Sequence, residues 1–138
     1  MARAYASTIP GTLVNFAEPG RQHPASVTLA YHRDDPYAVT ATISMATKCE
    51  AAAWTFARDL LRAGLHAIAG MHDVIVWPDD GGVLHIALTN KDARAALRLD
   101  TVAVAAFLDR TDRIVQPGDE ARHLDVDKAV RAVLKADR

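Results

Sequence analysis

The 138-residue chain is half hydrophobic and 24% charged, which fits one domain with a buried core and excludes general disorder. Sixteen Lys plus Arg against seventeen Asp plus Glu leave a net charge of -1, so no global field draws the chain to nucleic acid or an anionic membrane. A single cysteine, Cys49, excludes an internal disulfide; with no apolar run long enough for a bilayer and no signal-peptide core, the expected compartment is a reducing cytoplasm.

The first half reads as strands. "GTLVNFA" (11–17) and "ASVTLAYH" (25–32) flank the loop "EPGRQHP", and "RDDPYAV" supplies a turn in which Pro36 fixes its own φ. "YAVTATISM" (37–45) alternates, with Tyr37, Val39, Ala41 and Ile43 on one face and Ala38, Thr40, Thr42 and Ser44 on the other. These segments predict an antiparallel meander with one wet face. From Glu50 the spacing of Ala53, Trp54, Ala57, Leu60 and Leu61 predicts a helix that stops near Gly64. Next, "DVIVWP" (73–78) and "GVLHIALT" (82–89) around "DDGG" predict a hairpin. "ARAALRL" (93–99) is ambiguous between strand and helix. Asp100 and Thr101 are placed to cap a helix through about Arg110, "QPGDE" is a turn, and Asp125 is placed to cap a last helix bearing a Val126, Ala129, Val130, Val133 and Leu134 stripe. There is no repeat or linker, so residues 1–138 are read as a single domain.

Few groups are arranged for chemistry. Arg58 and Asp59, as helix neighbours, do not face each other, and both are expected on a solvated helix face over a Trp-Phe-Leu core. His66, His72 and His85 are the candidates for a metal site, at spacings that match no ligand pattern. His123, Asp125 and Asp127 share one side only if extended, and a capping role for Asp125 removes that geometry. Ser7, Ser26 and Ser44 lack a nucleophile setting; Cys49 lies beside Lys48 and Glu50 at the expected helix start, without a positioned base. No catalytic, cofactor or metal residue is therefore assigned. Tyr31, Tyr37, Trp54 and Trp77 with Arg33, Arg94 and Arg98 are the groups a single-strand nucleic-acid binder would use.

Five strings, "DDPYAV" (34–39), "WTFARDLL" (54–61) with Gly64, "DVIVWP" (73–78), "FLDRTDRIVQPGDE" (107–120) and "HLDVD" (123–127), occur in an order that resembles the SsgA-like sporulation and cell-division proteins of actinobacteria. The resemblance runs from about Val27 to Leu134. It implies a non-enzymatic regulator of septum placement that recruits the tubulin-like GTPase FtsZ, or acts with another divisome protein or another SsgA-like chain. It implies an α+β, Whirly-like fold of two antiparallel sheets packed with helices, associating as a trimer. No cofactor is implied, and nucleic acid is not the expected partner. On this resemblance the motif residues serve the fold: Pro36 and Tyr37 at the turn and strand start, Trp54, Phe56, Leu60 and Leu61 in the helix core, Trp77 and Pro78 at a strand end. Truncation of a buried Trp54 to alanine is expected to cost about 3–5 kcal/mol.

Overall fold

The computed structural model describes residues 2–16, 21–45, 51–91 and 94–124. Its strands are β1 (Ala4–Asn15), β2 (Gln22–His32), β3 (Asp35–Met45), β4 (Ala51–Ala57), β5 (Ala69–Met71), β6 (Val74–Pro78), β7 (Val83–Thr89) and β8 (Arg94–Asp100). Helix α1 (Arg58–Gly64) follows β4, α2 (Thr101–Ile114) follows β8, and a 3-10 turn spans Glu120–Arg122. The predicted final helix after Asp125, Cys49 with its neighbours, and most of "HLDVD" lie outside the described residues.

The expected three-strand meander is present as β1 to β3, and the "DDGG" hairpin as β6 and β7. All pairings are antiparallel and run in the order β4-β3-β2-β1-β8-β7-β6-β5. Where two sheets were implied, one hydrogen-bonded sheet results, because β1 pairs with β2 along its length and its Gly11–Asn15 half also pairs with β8. Gly11 permits that joint: a Cβ there would lie 2.6 Å from Leu99 Cδ2 and 2.8 Å from the Arg98 carbonyl oxygen.

Alternation then sorts the two faces. Val27, Leu29, Val39, Leu84, Ile86, Leu97 and Leu99 are buried on the inner face with Val104, Phe107 and Leu108 of α2 and Leu61 of α1. Each such side chain contributes roughly 1.5–3 kcal/mol by leaving water. Helix α2 starts where expected, because the Asp100 side chain accepts from the Val102 N–H at 3.3 Å, and it runs to Ile114. It lies over β1 and β8, while α1 touches β3 on one side and β5 and β6 on the other.

The helix expected from Glu50 is corrected. Residues 51–57 are strand, paired with Ser44 back to Ala38 of β3, and helix begins only at Arg58. Alanine's helix propensity, worth at most tenths of a kcal/mol per residue over ordinary residues, is outweighed by a full row of ladder bonds and a period-two set, Ala52, Trp54 and Phe56, facing inward. Trp54 and Phe56 are thus strand residues, whereas Leu60 and Leu61 are helical. "ARAALRL" resolves as strand β8.

Candidate functional site

Arg58 was expected in water and is fully buried. It continues the inward row of Phe56 into the first position of α1, beneath the end of α2. There its Nη1 donates to the carbonyl oxygens of Thr111 at 3.3 Å and Val115 at 2.8 Å at the end of α2; the Thr111 carbonyl also accepts the capping Val115 N–H at 3.0 Å. Nη2 donates to Glu120 Oε1 at 3.0 Å, and the guanidinium carbon lies 4.8 Å from the centre of the Tyr31 ring. One turn on, Arg62 makes a two-pronged contact with Asp112, Nη1 to Oδ2 at 2.9 Å and Nη2 to Oδ1 at 2.6 Å. Arg62 therefore pairs across to α2 rather than back to Asp59, which is exposed.

The electrostatics of this junction are mutual. A hydrogen bond from its own backbone N–H lowers the Glu120 carboxyl below its ordinary range, and the Arg58 and Gly118 donors add to that against the upward push of burial. Burial pushes the Tyr31 hydroxyl up to about 12, and that hydroxyl donates to the Pro36 carbonyl at 2.9 Å. Strand β2, helices α1 and α2, and the 3-10 turn are tied here by charge. Arg58 and Glu120 are buried and spend their polar groups on each other and on the end of α2, so the arrangement ties these elements together.

The other sequence candidates are scattered. His66 is exposed after α1, His72 sits in the β5–β6 turn at a φ of 67°, and His85 is on β7. Among the described residues no three metal-ligating side chains converge. His85 Nε2 instead meets Asp79 Oδ2 at 2.8 Å, and that bond, with the Val83 and Gly81 N–H donors, lowers the Asp79 carboxyl. Pro36 is buried next to the turn, Tyr37 is 46% exposed rather than aligned with the core, and Trp77 and Pro78 close β6 half-buried.

The outer sheet face has two different halves. Across β1 to β4 it carries Thr8, Thr28, Thr40, Thr42 and Thr55 among alanines and serines, with hydroxyl pairs Thr8–Thr28 at 2.8 Å and Thr40–Thr55 at 3.2 Å. Across β1, β8, β7 and β6 the register builds two rows, Thr12–Arg98–His85–Trp77 and Val14–Ala96–Ala87–Ile75. Trp77 and His85 stack at 5.2 Å and 4°. Beside them Ala67, Ile68, Ile75, Trp77, Pro78 and Ala87 line an apolar hollow of about 540 Å³, and Ile68 is 73% exposed. Sequence reasoning noted Arg98 and Trp77 singly. It missed their common row, whose only local signal is period-two spacing around "DDGG".

Comparison with known proteins gives concordant matches. The family described as "Streptomyces sporulation and cell division protein, SsgA" matches residues 25–120. The sporulation-specific cell division protein SsgB of Streptomyces coelicolor is 43% identical over 114 residues, 80% of this chain and 82% of that protein. The SsgB of Kineococcus radiotolerans is 44% identical over 118 residues, 81% of this chain and 68% of that protein. A crystal structure of an SsgA-like sporulation-specific cell division protein from Thermobifida fusca superposes with a TM-score of 0.81 at 29% identity, covering 94% of each chain.

Proposed function

The chain belongs to the SsgA family of sporulation and cell-division proteins, and from that premise we propose that it is a non-enzymatic cell-division adaptor. It positions or recruits FtsZ, or another divisome protein, at septum sites. The observation that carries this reading is the match to SsgB proteins over about four-fifths of the chain, with relatives that are themselves named for sporulation-specific cell division. The geometry fits it: the concentrated charge is consumed inside the fold at Arg58 and Glu120, while the outer sheet face displays aromatic, apolar and cationic groups that suit a macromolecular partner.

Association as a trimer with a Whirly-like arrangement, and residence in the cytoplasm at the division septum, belong to the same proposal. Light scattering on the purified protein tests the first and a fluorescent fusion the second. The functional test is co-sedimentation with FtsZ from the same source in GTP and in GDP. Enrichment with GTP polymers that survives nuclease supports the adaptor; no enrichment rejects direct polymer binding. The alternative, a single-strand nucleic-acid module, draws on Arg94, Arg98 and Trp77 lying on one face, but a net charge of -1 gives it no general attraction to phosphate. Oligonucleotide binding that persists at physiological salt would favour it.

A further inference from the structure

We infer that the outer face of β6, β7 and β8 docks an acidic peptide segment of the partner through one apolar anchor residue; this rests on the adaptor reading and names the surface and the chemistry it selects. Three observations converge there. The first is the open apolar hollow lined by Ile68, Ile75 and Trp77, with room for a large apolar side chain, and with Ile68 73% exposed at its rim. Apolar surface of this kind beside a tryptophan is where binding energy concentrates, since an anchor side chain resting in it covers apolar area on both partners.

The second is charge. By register Arg94 and Arg98 stand on the same face, two strands from Trp77, and among the described residues neither is paired with a carboxylate. The carboxylate at the hollow's edge, Asp79, is held at the β6–β7 turn by His85 and two backbone donors, at the opposite end of β7 from the Thr89–Arg94 pair. A segment carrying Asp or Glu beside its anchor is complementary to the Arg94–Arg98 part of this face.

Third, the platform is rigid. Trp77 is held flat on His85, whose ring is in turn fixed by Asp79, so the anchor site is formed before the partner arrives. Exposed Asp80 and Asp100 lie at the β6–β7 turn and the end of β8, which biases the acidic part of the segment toward the Arg94 end.

The test is anisotropy of a fluorescein-labelled peptide with one phenylalanine between runs of aspartate, titrated with the full chain. Controls replace the phenylalanine by alanine or the aspartates by lysine, and a labelled oligothymidine forms a separate arm. Binding of the acidic phenylalanine peptide is expected, weakened roughly tenfold or more by Arg98→Glu and by Ile68→Asp and unchanged by Arg113→Glu on α2. Ile68→Asp, at an exposed position, carries the test if Arg98→Glu does not fold. Equal binding to the wild type and both variants, or none at millimolar protein, overturns the proposal, as does tighter oligothymidine binding with the same sensitivity to Arg98→Glu. FtsZ co-sedimentation is read apart: if both variants keep it, this surface fails and the adaptor stands, whereas its absence in the wild type fails the adaptor whatever the peptide does.

Discussion

The Arg58 guanidinium meets the Glu120 carboxylate at 3.0 Å with side-chain exposures of 1% and 8%, joining the start of α1 to a turn that lies beyond the end of α2. Removing one partner strands the other in a place without water. Arg58→Met is therefore expected to lower stability by about 3–5 kcal/mol, since it removes the guanidinium from the buried Glu120 carboxylate and takes a donor from the Val115 carbonyl. Combining it with Glu120→Gln should cost less than the sum of the two single changes, because they share one interaction. Urea unfolding of all three variants measures this; a loss under about 1 kcal/mol for Arg58→Met would show that the junction does not hold the fold.

Stability is expected to fall at both pH extremes for separate reasons. The folded-state pKa of Glu120 is depressed, so its contribution is complete above its unfolded value near 4.5 and is lost as pH drops from there toward the lower folded value. Tyr31 is raised from 10.0 to about 12, so its contribution is intact below pH 10 and disappears as pH climbs from 10 to 12. Melting temperature against pH should show both limbs. Glu120→Gln should flatten the acid limb alone, and Tyr31→Phe the alkaline limb alone, the latter from a lower plateau because the Pro36 carbonyl loses its donor.

Phe56 and Trp54 provide a check on the strand assignment of β4. Phe56 is 8% exposed against Val39, whereas Trp54 is only half-buried across from Ala41. Phe56→Ala is expected to cost about 3–5 kcal/mol and Trp54→Ala distinctly less, which revises the cost expected for Trp54 as a helix-core residue. Guanidinium unfolding would reverse that ranking if residues 54–61 were one helix.

Gly64 ends α1 against the second half of the sheet, where an added Cβ would overlap the Val76 side chain. Gly64→Ala is expected to destabilise by about 1–3 kcal/mol through overpacking, and Val76→Ala in the same chain to restore part of it. Restoration reports the contact directly; equal losses in single and double variants would place the cause in the backbone instead.

Much of this architecture is legible in the residues themselves. The meander, the "DDGG" hairpin and the Asp100 cap follow from local patterns, since alternation, turn chemistry and a capping carboxylate act over a few positions. Three alanines and a tryptophan misled at 51–57, because strand pairing with β3 is a long-range fact that no local propensity records. Arg58 was readable in hindsight: Ala52, Trp54, Phe56 and Arg58 keep one period-two row, so the arginine inherits an inward direction from its strand. Its partner was not readable, because nothing near Glu120 tells that a buried guanidinium will arrive from α1. The rows Arg98–His85–Trp77 and Val14–Ala96–Ala87–Ile75 depend on register between strands, which alternation suggests and only pairing decides.

Because β8 closes onto the Gly11–Asn15 half of β1, one side of the first strand waits for nearly the last one to be made. On the ribosome the β1 to β4 meander can form early from neighbouring segments, yet it would carry an open strand edge until residues 94–100 emerge from the exit tunnel. A nascent or truncated chain that stops short of β8 presents that edge to its neighbours. Such a chain is a substrate for chaperones and a seed for aggregation, and premature termination anywhere before Arg94 should leave inclusion bodies rather than a smaller soluble domain.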